Sequence, residues 1–261
     1  MKDYVAKDWL PVLGANGLDG FDAIWALDIG WFEAPNERRG GWSGVSRCEL
    51  QLPGDGSAGV FVKRQQDHVY RSLRHPLRGM LTFAREFANL LRYRSHGIPT
   101  LEPLYFAIRN QDGHHRAILV TRELSGYDSL DRCVERWQAQ GAFPRSQCQA
   151  LITQVAAAAA QLHRHHLQHN CFYPKHIFIG QLDGAVDVRI IDLEKTKWRL
   201  SRTRASLRDL DTLNRHAAGW SRTDRLRFLL AYYQVDLVDA RVRKTWQRLA
   251  ARLRSKQRRR N

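Results

Sequence analysis

Lys63, Glu86 and Asp192, with the eight residues His169-Asn170-Cys171-Phe172-Tyr173-Pro174-Lys175-His176, have the types and order that phosphoryl transfer needs. That chemistry wants a cation on the donor phosphates, an anion to orient it, a carboxylate for a divalent metal, and a group to take the acceptor proton. Lys63 sits near the end of the apolar run Val60-Phe61-Val62, where it can reach phosphate oxygens as a compact cation. Glu86 lies 23 residues further on, in a segment with helical apolar spacing. Asp192 ends the run Val188-Arg189-Ile190-Ile191, placed to hold Mg²⁺ against phosphate. Each residue alone has a plain alternative: a solvent-facing Lys, a surface Glu, a turn Asp. Their order and spacing favour the functional reading.

Two further patterns imitate chemistry. Gly54-Asp55-Gly56-Ser57-Ala58-Gly59 fits GxGxxG literally, but a dinucleotide site needs a helix next, and a strand follows. Pro53-Gly54-Asp55-Gly56 reads as a hairpin turn. His163, His165, His166 and His169 cluster, yet no Cys or Glu completes a usual metal set, so a solvated helix end is expected.

Protein kinases carry H-R-D-x-x-x-x-N in their catalytic loop, where the Asp takes the acceptor proton and the Asn holds metal. On that frame His169 takes the His position, Cys171 the Asp position and His176 the Asn position. His176 can ligate a divalent ion through a ring nitrogen, although imidazole suits Mg²⁺ less well than oxygen does. The candidate catalytic set is therefore Cys171, His169 and Lys175, with Asp192 and His176 on the metal. Cys171 would act as a weak base if His169 or Lys175 lowered its thiol pKa. The alternative is a buried structural Cys in a loop that no longer catalyses. A general base contributes roughly 10²–10⁴-fold, so its loss slows a reaction without necessarily abolishing it.

These groups need elements to hold them. Residues 21–66 read as strands, with a Gly-rich turn at Arg39-Gly40-Gly41-Trp42-Ser43-Gly44. Phe83 to Tyr93 reads as a helix that stops at Gly97 and Pro99. Ala117 to Thr121 reads as a buried strand and Glu123-Leu124-Ser125-Gly126 as a connector. Cys148 to His166, Leu207 to Ala217 and Arg225 to Tyr233 read as helices, with short strands at Ile177–Ile179 and Val188–Ile191. The class is α+β, in two lobes: a strand-rich N-lobe over 1–124 with one helix, and a helical C-lobe over 125–240. Residues 241–261 form a basic tail; from Arg241 to Arg260 it holds ten basic residues and no acidic one. Trp246, Leu249 and Leu253 share one helical face there, as in a basic amphipathic helix.

The chain resembles the lipopolysaccharide core kinase family of Gram-negative bacteria (the WaaP/InaA group), distant relatives of protein kinases. The likeness rests on GGWSG, VFVK, the helix carrying Glu86, HNCFYPKHIF and RIIDLEK, over roughly residues 30 to 215. YPKH after the loop His is nearest the InaA branch. The resemblance implies a bilobal protein-kinase-like fold, with Gly40, Gly41, Gly44, Lys63 and Glu86 on ATP and with Mg²⁺ as cofactor. It implies phosphorylation of a heptose hydroxyl of the lipopolysaccharide inner core, at the cytoplasmic face of the inner membrane. It also matches Asp209 to the kinase helix Asp that braces the catalytic loop.

Composition narrows the partners. The formal net charge is +16, from 42 basic and 26 acidic residues, which favours anions: a phosphorylated glycan such as the lipopolysaccharide core, or an anionic membrane surface. No RNP, KH or zinc-finger pattern supports nucleic acid. The four cysteines have no CxxC spacing and read as reduced thiols. The N-terminus has no apolar h-region and no run approaches the ~20 apolar residues of a membrane span, so a cytoplasmic chain, soluble or peripheral, is expected. An active sugar kinase and a pseudokinase-like nucleotide- or glycan-binding module in envelope assembly or stress response both fit; Cys171 motivates the second.

Overall fold

The computed structural model describes residues 3–38, 40–72, 75–141, 145–217 and 219–258. Arg39 of the expected Gly-rich turn and residues 259–261 of the expected basic tail lie outside them. The chain divides into two compact units, Met1–Arg92 with Leu101–Ser125, and Tyr93–Thr100 with Gly126–Asn261.

The first unit contains β1 (Tyr4–Val5), α1 (Leu10–Ala15), α2 (Phe21–Trp25), β2 (Trp31–Arg38), β3 (Gly41–Gln51), β4 (Ser57–Gln66), β5 (Val69–Ser72), β6 (His75–Leu81), most of α3 (Thr82–Ser95), β7 (Pro103–Gln111) and β8 (His114–Arg122). Six strands pair antiparallel in the order β1-β7-β8-β4-β3-β2. The period of two along β4 sends Val60 and Val62 into the core, where they meet Trp9, Phe21, Ile24 and Leu104. Phe61 and Lys63 then belong to the opposite face, with Lys63 in register between Val45 and Leu119. Gly54 and Gly56 have positive φ and close the β3–β4 hairpin, so the literal GxGxxG is a turn.

Two expectations need correction. Residues 21–25 are helix, so with α1 and α3 this unit has three helices where one was expected. Phe21 and Ile24 are buried one helical turn apart, and so short a helix shows too little period to betray itself. The Gly-rich turn is also shorter than expected. Gly40 supplies its positive φ, whereas Gly41 and Gly44 lie in β3. Their lack of a side chain serves close approach: a Cβ on Gly41 would overlap the Gln66 carbonyl, and one on Gly44 would sit 2.6 Å from the Trp31 ring.

Helix α3 ends as its composition dictates. Gly97 adopts φ +64°, and Ile98 donates its N–H back to the Tyr93 carbonyl at 2.8 Å.

The second unit contains β9 (Asp128–Ser129), α4 (Leu130–Ala139), α5 (Arg145–Arg164), β10 (Leu167–Gln168), β11 (Ile177–Leu182), β12 (Ala185–Ile190), β13 (Lys197–Trp198), α6 (Arg202–His216), α7 (Arg222–Tyr233) and α8 (Ala240–Arg258). The small, fully buried Ala156 and Ala159 and the larger Leu151, Ile152 and Val155 line the packed face of α5. A capping box of Ser221 and Asp224 starts α7. The segment expected as a separate basic tail is α8, and it belongs to this unit. Val242 and Leu249 are buried against α6 and α7, and Tyr233 Oη meets Thr245 Oγ1 at 2.7 Å. Of its expected apolar stripe Leu249 is buried, and Trp246 and Leu253 are half-buried. No described helix is long and apolar enough to cross a membrane.

Candidate active site

In the first unit β4 carries Lys63 and α3 carries Glu86. Their Nζ and Oε1 atoms meet at 2.6 Å, with side chains 18% and 5% exposed. Glu86 occupies a buried face of α3 beside Phe83, Phe87 and Leu90, where a carboxylate needs a partner.

In the second unit one carboxylate organises the loop. Asp209, on α6 and fully buried, accepts N–H bonds from His169 at 2.6 Å and Asn170 at 2.9 Å. It also pairs with His163 Nε2 at 3.2 Å, while His163 Nδ1 meets Tyr232 Oη at 3.0 Å. Asn170 takes φ +68°, and its Nδ2 donates to the Lys195 carbonyl at 2.7 Å.

His169 is a prop for the backbone. Its Nδ1 accepts the Cys171 N–H at 3.1 Å, so Nε2 carries the proton and donates to the Ile191 carbonyl at 2.9 Å. The ring thereby ties the loop to the strand leading into Asp192. Burial pushes its pKa down to about 4, so the ring is neutral at pH 7.

Cys171 is buried, and burial pushes its thiol pKa up, with Asp192 adding to the effect. The two residues expected to lower it do not: His169 is uncharged, and Lys175 is exposed. The cation that opposes the rise is Lys195. Cys171 is therefore a protonated thiol at neutral pH, a poor proton acceptor.

Asp192 adopts φ 60° and ψ 59°, an uncommon conformation for a non-glycine residue that aims its carboxylate away from the strand. Its Oδ2 lies 3.4 Å from His176 Nδ1. That nitrogen donates to the Cys171 carbonyl at 2.8 Å, so it carries a proton and has no lone pair for a metal. Burial lowers the His176 pKa. A metal would have to use Nε2. The geometry fits His176 better as a brace of the loop, bonded to the Cys171 carbonyl, than as a metal ligand. Mg²⁺ prefers oxygen and often takes only one or two protein carboxylates, which Asp192 fits.

The structure thus joins Lys63 to Glu86 in one unit, and Cys171, His169, His176 and Asp192 in the other. Gly40 is at the turn, Gly41 and Gly44 are in β3, and Lys175 joins none of these contacts. Sequence reasoning missed Glu194 and Lys195, whose charges reach Cys171. The structure supplies what the sequence did not: residues 193–195 form a 3₁₀ turn after Asp192, and such a turn brings residue i+3 back toward residue i. The histidine cluster is not the solvated helix end expected. His163 and His169 are buried, His165 stacks on His96 at 4.0 Å, and His166 stacks on Trp198 at 6.0 Å. Among the described residues no three His, Cys, Asp or Glu side chains converge on a metal site.

The model of the lipopolysaccharide kinase (Kdo/WaaP) family matches residues 22–232. Protein InaA of Escherichia coli (strain K12) is 31% identical over 201 residues, spanning 76% of this chain and 88% of that protein. The solved structure of WaaP in complex with acyl carrier protein aligns with a TM-score of 0.67 at 24% identity, over 99% of this chain and 98% of that one. The likeness is one of fold: α+β, of the protein-kinase-like type.

Proposed function

The chain belongs to the lipopolysaccharide kinase (Kdo/WaaP) family, and from that premise we propose that it transfers the γ-phosphoryl group of ATP to a heptose hydroxyl of the lipopolysaccharide inner core, with Mg²⁺, at the cytoplasmic face of the inner membrane. The observation that carries this reading is the Lys63–Glu86 pair: a lysine oriented by a buried carboxylate, as phosphate binding requires. Gly40, Gly41 and Gly44 belong to the hairpin that would lie over the donor phosphates. Asp192 is the ligand for Mg²⁺, which when bound neutralises charge on the β- and γ-phosphates. His169, Asp209 and His176 hold the loop.

Cys171 supports a second reading, a nucleotide- or glycan-binding module with little turnover, because its thiol is protonated and buried. Phosphoryl transfer depends mainly on positioning and charge, so the missing base slows the enzymatic reading without excluding it.

The test is transfer of label from γ-³²P-ATP with Mg²⁺ to dephosphorylated core lipopolysaccharide. Wild-type transfer that vanishes in Asp192→Ala is the expected result. Transfer seen only in Cys171→Asp would favour the binding module, and nucleotide binding without transfer by any variant would overturn the kinase reading.

A further inference from the structure

The segment that follows Asp192 has a property unused by the chemistry above. Lys197-Trp198-Arg199-Leu200-Ser201-Arg202-Thr203-Arg204 runs through β13 into the start of α6. Trp198 is 54% exposed and Leu200 84% exposed. A Trp and a Leu two residues apart in water are unfavourable, and this is not the result of a loose chain. The Arg199 N–H donates to the His166 carbonyl at 2.8 Å, and His166 Nδ1 bonds the Arg199 carbonyl at 3.1 Å. Arg199 Nε donates to Gln168 Oε1 at 2.7 Å, and the register pairs Trp198 with Leu167. His166 takes φ +59° within this clamp. The backbone is held, and it displays the two apolar side chains.

Their surroundings are cationic. Lys197, Arg202, Arg204 and Arg208 are exposed, and among the described residues none forms an ion pair. Arg204 and Arg208 share a helical face at i, i+4 spacing. Four of the other exposed apolar residues have an acidic neighbour in the sequence: Leu10 near Asp8, Phe32 beside Glu33, Leu182 beside Asp183, and Leu237 beside Asp236. Helix α8 is as basic, but its buried Val242 and Leu249 leave it little apolar surface to offer. An amphipathic aromatic and an aliphatic residue ringed by unpaired cations suit the interface of a bilayer that carries negative headgroups.

We propose that Lys197–Arg208 is a docking element for an anionic lipid bilayer. Trp198 and Leu200 enter the headgroup boundary, and Lys197, Arg202, Arg204 and Arg208 meet lipid phosphates. This deepens the reading above, on which it rests, since it would present the residues around Asp192 to an acceptor carried by the membrane.

The experiment is co-sedimentation of the full chain with vesicles of phosphatidylcholine alone or with phosphatidylglycerol added. It contains neither nucleotide nor acceptor, so its outcome is independent of whether transfer occurs. Wild type should sediment with the anionic vesicles only. Trp198→Ser with Leu200→Ser should abolish most of that binding, and Arg204→Ser with Arg208→Ser should weaken it by about fivefold per charge removed. Leu237→Ser should bind as wild type does. All five positions are exposed, and circular dichroism checks that each variant is folded. Equal binding by the Trp198/Leu200 variant would overturn the proposal, as would an equal loss on changing Arg254 and Lys256 to Ser. Retention of soluble core oligosaccharide through Arg204 and Arg208, without vesicle binding, would assign these cations to the acceptor and overturn it too.

Discussion

Two dyads in this molecule that set a carboxylate against a nitrogen look alike on paper and do opposite work. Lys63–Glu86 meets at 2.6 Å with the lysine 18% exposed. His163–Asp209 meets at 3.2 Å with both side chains fully buried. In the first dyad the carboxylate is the anchor and the cation is the presented end. In the second the carboxylate spends its oxygens on two backbone N–H groups of the loop as well as on His163. The first dyad positions a charge for something outside the fold; the second holds the chain in place. A short ion pair is therefore no guide to its role. What matters is which partner remains accessible and how many other groups depend on it.

The comparison predicts unequal costs on cutting each dyad. Asp209→Ala leaves His163 and two loop N–H groups without their acceptor, and should destabilise the protein by about 3–5 kcal/mol. The readout is the urea midpoint at constant m-value. Asp209→Asn keeps an oxygen acceptor and should recover part of the loss. A cost below 1 kcal/mol for Asp209→Ala would break the comparison.

Acid should strain the same loop next. Burial holds His169 at a pKa of about 4 against an ordinary 6.5. The unfolded chain therefore binds more protons between those values, and stability rises with pH there. The contribution is complete above pH 6.5 and is lost as pH falls toward 4, on the order of 3 kcal/mol in all. Urea unfolding at pH 7 and pH 5, compared with His169→Asn, isolates it. An identical pH dependence in the variant would assign the acid sensitivity elsewhere.

How much of this was legible in the sequence follows from the range of the forces involved. Lys63 and Glu86 stand out because an apolar strand run and a helical apolar phase are local patterns, and the spacing follows from them. Asp192 stands out for the same reason. Asp209 looks like any helix Asp; its place under the loop depends on tertiary packing, and only a family resemblance pointed to it. Lys195 was hidden because a lysine after a turn normally faces water, and only the 3₁₀ geometry returns it to Cys171. Helix α2 was hidden by its five-residue length. In the tail the amphipathic period was plain, but periodicity cannot say what covers the apolar face. Val242 and Leu249 are buried in the second unit, and Trp246 and Leu253 are half-buried.

The smallest stability effect should come from Lys63, and it sharpens the contrast most. Lys63→Ala removes one presented cation and leaves Glu86 beside Phe83 and Phe87 with its former partner gone. The lysine end of the pair is partly exposed, so water can reach the site it vacates and the cost should stay under about 2 kcal/mol. Nucleotide affinity should fall much more, by roughly tenfold or beyond, because the lost charge was aimed at phosphate. Glu86→Gln makes the reciprocal change: it keeps the shape of the anchor, removes its charge, and should cost affinity by releasing Lys63. Calorimetric titration with an ATP analogue, beside urea unfolding of the same samples, separates the two readouts. If Lys63→Ala unfolds the protein as readily as Asp209→Ala, the first dyad is structural and its proposed role in phosphate binding fails. If the variant stays folded and nucleotide binding is unchanged, the pair is an ordinary strand-to-helix salt bridge. Loss of affinity in a stable fold is the outcome that keeps the two dyads distinct.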